Sequence, residues 1–154
     1  MTGPVFVDTN VLVYRHDSSD AVKQARAETW HTLLWRQRLG RVSFQVLQEL
    51  YATLIRGRGL SLDPARAREI VLDYLVWRPI QIDLAVLRRA WAIEERFRLS
   101  WWDALIVAAA EASESPVLLT EDLQDGQRFD GVRVVDPFAS PEQSPREILE
   151  SMSS

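Results

Sequence analysis

The feature that most constrains this chain is a rhythm: short apolar runs of strand length alternate with longer stretches of helical periodicity. Pro4-Val5-Phe6-Val7 is a continuous apolar run, suited to a strand buried on both faces of a parallel sheet. It ends at Asp8-Thr9-Asn10. Residues 21–39 carry helical spacing, with Ala25, Trp30, Leu33 and Leu34 on one side, Asp20 as cap and Gly40 closing the segment. After a short Arg41-Val42-Ser43 segment, Val46, Leu47, Leu50 and Leu54 form the buried stripe of a second helix that stops at the Gly57/Gly59 loop. Asp63-Pro64 sets an N-cap before a proline at the first helical position, which starts a helix to Trp77 that Pro79 breaks. Ile80-Gln81-Ile82 reads as a short strand, and Asp83 caps a helix ending near Phe97. Ser100-Trp101-Trp102-Asp103 is an acidic variant of the capping box, opening a helix from Ala104 to Ala112 that is apolar nearly all round and therefore central. Val117-Leu118-Leu119 and Val132-Arg133-Val134-Val135 are two further strands, joined by a polar loop from Thr120 to Gly131. Strands alternating with helices imply an α/β fold around a parallel sheet with right-handed crossovers.

At 154 residues the chain has the length of one domain, and 47% hydrophobic against 26% charged residues allows a full core. No stretch approaches the roughly 20 apolar residues that span a bilayer, and Met1 leads into Pro4-Val5-Phe6-Val7 without the basic flank of a signal peptide, so a soluble, cytoplasmic protein is expected. The absence of cysteine excludes disulfides, thiolate nucleophiles and cysteine-ligated zinc. Any metal must then take oxygen or imidazole ligands. The net charge of -4 argues against coating nucleic acid by bulk electrostatics, though not against a nuclease. Lys23 is the lone lysine, and the arginines recur in pairs such as Arg56/Arg58, Arg88/Arg89 and Arg96/Arg98. Such arginines either hold phosphate bidentately or simply solvate helix faces.

In an open parallel sheet, ligands bind outside the carboxyl ends of the strands. Asp8 directly follows the first strand, Asp122 follows Val117-Leu118-Leu119, and Asp103 lies in the first turn of the central helix. Glu49 flanks the apolar stripe of its helix and can lean over the sheet edge. Carboxylates brought within a few ångströms repel one another and persist ionised only around positive charge, which a hard, oxygen-seeking cation such as Mg²⁺ or Mn²⁺ supplies. Taken singly, each acid also has an ordinary role: Asp8 in a turn, Asp103 in a helix cap, Glu49 on a solvated face, Asp122 in an acidic loop. Spacing alone leaves both readings open.

Together these segments resemble the PIN-domain family, and more narrowly its VapC-like toxin ribonucleases. Val5-Phe6-Val7-Asp8-Thr9-Asn10-Val11-Leu12 resembles the family's opening strand with its first acid, and Gln48-Glu49-Leu50 the helix bearing the second. Leu99-Ser100-Trp101-Trp102-Asp103-Ala104-Leu105-Ile106 resembles the third segment, and Leu118-Leu119-Thr120-Glu121-Asp122-Leu123 the fourth. The resemblance implies a three-layer α/β/α sandwich with a mostly parallel central sheet, spanning residues 1–138, with 139–154 as a weakly structured or docked tail. It further implies an endoribonuclease that uses Mg²⁺ or Mn²⁺, acts on RNA, is often a homodimer, and is held by a cognate antitoxin of a VapBC-type pair. Asp8, Glu49, Asp103 and Asp122 match the catalytic acids, with Asp8, Asp103 and Asp122 on the metal and Asn10 and Thr120 in support. Asp125 lies in the same loop as Asp122 and competes for the fourth position, and Arg128 is the first choice for a phosphate contact.

Two other classes stand beside this reading. Phosphoryl transfer through an aspartyl phosphate on Asp8 lacks a second acid two residues on and a nearby lysine. A catalytically silent PIN-like module for RNA or protein binding would keep the fold without turnover. His16 and His31 show no triad-like spacing. The six tryptophans and the apolar second and third helices serve the core, or in part a dimer or antitoxin surface.

Overall fold

The computed structural model describes residues 3–152. Residues 1–2 and 153–154, the ends of the expected domain and tail, lie outside the described residues. Strand β1 (Val5–Val7) leads directly into helix α1 (Thr9–Tyr14), followed by α2 (Ala21–Arg36), β2 (Gly40–Arg41) and α3 (Phe44–Arg56). Then come α4 (Pro64–Asp73), a 3-10 turn over Tyr74–Trp77, α5 (Leu84–Phe97), α6 (Trp101–Ala112), β3 (Val117–Leu119), β4 (Arg128–Phe129), β5 (Val132–Val135) and α7 (Pro145–Ser151). The sheet runs β2-β1-β3-β5-β4. All neighbours are parallel except the β4–β5 hairpin at one edge. With helices on either side, this is the three-layer α/β/α sandwich that the resemblance implied.

Burial explains the composition of the strands. Val5, Phe6, Leu118, Leu119 and Val134 are wholly inaccessible, as a parallel sheet covered on both faces requires. Helix α6 buries every residue from Ala104 to Ala110, which accounts for its uniformly apolar sequence. Helices α3 and α5 are amphipathic instead: Val46, Leu47, Leu50 and Leu54 on α3, and Val86, Ala90 and Ile93 on α5, face inward. Each large apolar side chain taken fully from water contributes about 2–3 kcal/mol.

Several local readings change. Helix α1 is too short to show a period, so the stop at Asp8-Thr9-Asn10 is in fact a helix start: Asp8 is its N-cap, accepting from the Thr9 backbone N–H at 2.7 Å. Helix α2 ends at Arg36, and it buries Ala27, Trp30 and Leu34 while Ala25 is exposed. Gly40 is therefore no helix terminator but a strand residue pressed against an indole, where a Cβ would lie 2.3 Å from Trp77 Cε2. The helix begun by Asp63-Pro64 changes to 3-10 geometry at Tyr74, and Arg78 turns the chain in the left-handed region (φ 51) before Pro79. Ile80-Gln81-Ile82 makes only a single bridge, Ile80 to Ser43, so it is not a strand. The loop expected over Thr120 to Gly131 contains β4, whose pairing with β5 no local apolar run announced. Helix α7, capped by Ser144 and packed on α2, inserts Leu149 into the core. Among the described residues no helix is long and apolar enough to cross a membrane.

Candidate active site

The parallel register sets up the site. Val7 lies opposite Leu119, and Leu119 opposite Val135, so β1, β3 and β5 end level with one another. Each chain then makes one more bond: the Asp8 N–H donates to the Leu119 carbonyl (3.0 Å) and the Thr120 N–H to the Val135 carbonyl (3.1 Å). Asp8 and Thr120, neighbours across the sheet, thus stand side by side at its carboxyl edge. The Thr120 hydroxyl donates to Asp8 Oδ2 at 2.8 Å and accepts from the Asp122 backbone N–H at 3.1 Å and, more weakly, from Asn10 Nδ2 at 3.5 Å. Thr120 is completely buried, so these bonds hold without competition from water.

Glu49 arrives from α3, which packs on α1. Its Oε2 accepts from the Thr9 hydroxyl at 2.8 Å and its Oε1 from Gln45 Nε2 at 2.9 Å. Asp103 enters on the first turn of α6. There Ser100 Oγ accepts from the Asp103 backbone N–H at 3.2 Å, so the cap uses the backbone of Asp103, and its carboxylate acts on Asp122. Four acids from four separate segments are thereby coupled. Burial pushes the Asp8 carboxyl up to about 7, against the hydrogen bonds from Thr120 and Thr9, and the charges of Asp122 and Glu49 add to the rise. The Asp122 carboxyl is raised by its partial burial and by the Asp103 charge; a hydrogen bond from Asn10 opposes this, Glu121 adds to it, and Arg58 offsets part.

The donor set is all oxygen, its acids mutually repelling, with Asn10 Oδ1 also buried and without a partner. That chemistry fits a hard divalent cation. As placed, no three acidic or imidazole side chains among the described residues converge closely enough to enclose an ion. Hydrogen bonds hold two of the acids in their present rotamers: Glu49 to Thr9 and Gln45, and Asp8 to Thr9 and Thr120.

The other two candidates are placed differently from each other. Asp125 Oδ1 accepts from the Asp136 backbone N–H at 2.9 Å, at the carboxyl end of β5 next to Thr120, so it stands at the same edge of the sheet with one oxygen engaged in the turn. Arg128 pairs with Arg133, which pairs with Val117, the residue at the opposite end of β3 from Leu119. Three strand spacings and the length of the sheet separate Arg128 from Asp8, roughly 14 Å by the spacings alone. His31 Nε2 sits 2.9 Å from the Tyr74 hydroxyl and from Arg15, and burial, with the Arg15 charge, drives its pKa down to about 3. It lines a separate cavity of about 350 Å³ together with Arg15, Trp35 and Tyr74.

Thr9 and Gln45 escaped the sequence reading, although Gln45 and Glu49 are spaced i,i+4 on one helix, a spacing that brings side chains together. So did the rim. The Tyr14 hydroxyl donates to Glu121 Oε1 at 2.7 Å, Lys23 Nζ meets Glu121 Oε2 at 2.7 Å, and the Arg58 guanidinium lies 4.1 Å over the Tyr14 ring. Nothing local in the sequence joins these four positions.

The fold has solved counterparts. A toxin–antitoxin complex from Klebsiella pneumoniae aligns with a TM-score of 0.59 at 18% identity, covering 87% of this chain and 98% of its own. Mycobacterium tuberculosis VapC20, described as a sarcin–ricin-loop-cleaving toxin, aligns at 0.56 with 22% identity, covering 82% of this chain and 90% of its own. VapBC2 from Rickettsia felis, solved on a DNA fragment from its promoter, aligns at 0.55 with 15% identity, covering 84% and 96%. A search of curated proteins finds no match to this sequence. The sequence model of the PIN domain matches residues 5–130, from the first strand through the loop beyond Asp122, and the chain belongs to the PIN-domain family.

Proposed function

We propose that this protein is a divalent-metal-dependent endoribonuclease, the toxin of a VapBC-type pair, acting in the cytoplasm and restrained by a cognate antitoxin. The observation that carries the reading is the coupling of Asp8 to Asp122 and Glu49, and of Asp122 to Asp103, at the carboxyl edge of the sheet, with buried Thr120 bonded to both Asp8 and the Asp122 backbone. The solved structures that share the fold include a toxin–antitoxin complex and a sarcin–ricin-loop-cleaving toxin, which supports the partner and the substrate class. Homodimerisation follows from the family resemblance.

Asp8, Asp103 and Asp122 would hold Mg²⁺ or Mn²⁺, with Glu49 beside them. When bound, such an ion lowers the pKa of water and neutralises charge on phosphate oxygens. The chain's own contribution is orientation. Thr120 keeps one Asp8 oxygen in place, and the Asp8 cap on Thr9 fixes the other. Thr9 and Gln45 hold Glu49 in a defined rotamer, within reach to accept a proton from an attacking water. Asn10 steadies Asp122. Burial of Asp8 keeps bulk water from screening that carboxylate.

The test is cleavage of a mixed RNA pool with Mg²⁺, with Mn²⁺ and with chelator. Cleavage should require the metal and fall at least a hundredfold in Asp103→Asn, whose helix cap is unaffected because it uses the backbone. Folded protein that cuts no RNA with either metal would shift the assignment to a silent RNA- or protein-binding module.

A further inference from the structure

The acids need a cationic partner for the RNA strand, and Arg128 cannot provide it from the far end of the sheet. Three facts converge on another residue. First, Arg58 sits in the turn directly after α3, the helix that carries Glu49, in a left-handed conformation (φ 55) between Gly57 and Gly59. Second, its guanidinium carbon lies 4.1 Å from the centre of the Tyr14 ring, and Tyr14 is in turn bonded to Glu121, the neighbour of Asp122 in the chain. Third, its one ion pair among the described residues is long: Asp17 Oδ2 lies 3.5 Å away, while Asp17 Oδ1 is engaged by the Ser19 N–H and hydroxyl. Lys23, the other cation on this rim, is by contrast tightly held by Glu121 at 2.7 Å and by the Tyr14 hydroxyl at 3.3 Å. Other arginines are committed to other partners: Arg15 to Glu28, Arg89 and Arg96 to Asp130, Arg26 to the backbone carbonyls of 137 and 140.

We propose that Arg58, braced on Tyr14, is the phosphate-binding residue that holds the RNA backbone against the acidic site. This rests on the ribonuclease reading for its ligand. A guanidinium carries five N–H donors, more than the contacts of Arg58 with Tyr14 and Asp17 occupy, which suits bidentate capture of a phosphate. Its position answers an electrostatic need. A polyanion approaching four carboxylates is repelled unless a fixed cation stands at the entrance, and Arg58 is placed there by its contact with Tyr14, which bonds Glu121 beside Asp122.

The test is binding of a fluorescein-labelled, single-stranded RNA of mixed sequence, by anisotropy over a range of salt, with cleavage followed in parallel. Arg58→Asn removes the charge while tolerating the left-handed backbone; Arg58→Lys keeps the charge; Arg128→Ala is the control. Affinity in Arg58→Asn should weaken about tenfold, with the slope of log affinity against log salt shallower by about 0.7. Arg58→Lys should recover most of the affinity, and Arg128→Ala should match wild type. RNA binding in Arg58→Asn equal to wild type overturns the proposal. So does an Arg58→Lys protein as weak as Arg58→Asn, which would assign the effect to packing on Tyr14, and so does a wild-type protein that binds no RNA. If Arg58-dependent binding is found but no variant or wild type cuts RNA, this subsite stands and the ribonuclease reading falls.

Discussion

Asp8→Asn should stabilise the metal-free protein while abolishing its activity, and the size of the effect should depend on pH in a defined direction. The Asp8 carboxyl is buried beside Asp122 and Glu49, and its pKa rises from 3.8 to about 7. The folded state therefore binds a proton that the unfolded state has already released, across the whole window between those values. Stability must fall as pH rises from about 4 to about 7, and the full deficit persists above that. That interval corresponds to roughly 4 kcal/mol. Asparagine does not titrate, so it escapes the deficit, though its amide meets Thr120 Oγ1 where a carboxylate oxygen accepted, at a cost of about 1 kcal/mol. Between about pH 5 and pH 8 in chelator, the stability of Asp8→Asn relative to wild type should grow by about 3 kcal/mol. For a domain of this size that is a relative gain of about 6–12 °C in Tm. Differential scanning fluorimetry at both pH values, with and without Mg²⁺, reads it directly. Mg²⁺ at pH 8 should raise the Tm of wild type and leave that of Asp8→Asn nearly unchanged, because only the former gains binding energy in the folded state. A difference between the two proteins that is the same at pH 5 and pH 8 would refute the idea that Asp8 is held as an uncompensated buried acid.

Two further outcomes follow from the packing. Gly40→Ala places a methyl within 2.5 Å of three atoms of the Trp77 ring, which is 2% exposed and cannot withdraw, so urea denaturation should show a loss of about 3 kcal/mol. Thr120→Val keeps the shape of a fully buried side chain but deletes the donor to Asp8 and the acceptor for the Asp122 N–H, so Mg²⁺ affinity or RNA cleavage should drop 10–100-fold with the circular dichroism spectrum unchanged.

The legible parts of the fold were those with a strong one-dimensional signature. The apolar stripe of α3 and the all-round apolar character of α6 appear directly in the residue pattern, because burial on one face or on all faces acts on each residue independently of its partner. Helix α1 and strand β4 left no such trace; one is six residues and the other two, both shorter than any period can register. Gly40 looked like a helix end because glycine commonly ends helices, whereas its actual reason is the Trp77 ring, 37 positions away in the chain. Ile80-Gln81-Ile82 has strand-like composition but only one bridge partner, since pairing is decided by what lies alongside.

For the candidate site, the sequence by itself determined the acids: their positions after strands and at a helix start, and the absence of sulfur ligands, all follow from residue order. Only the tertiary structure decided how they are coupled. The level ends of β1 and β3 put Asp8 beside Thr120, α3 packing on α1 brings Glu49 to Thr9, and the sheet register sends Arg128 to the opposite end while Arg58 comes to rest on Tyr14. The physical reason is the range of the forces involved. Propensity, capping and apolar periodicity act over a few neighbouring residues, whereas a buried proton, a hydrogen-bonded carboxylate or a guanidinium on a ring depends on groups some 40 to 112 residues apart that meet only after the chain has folded.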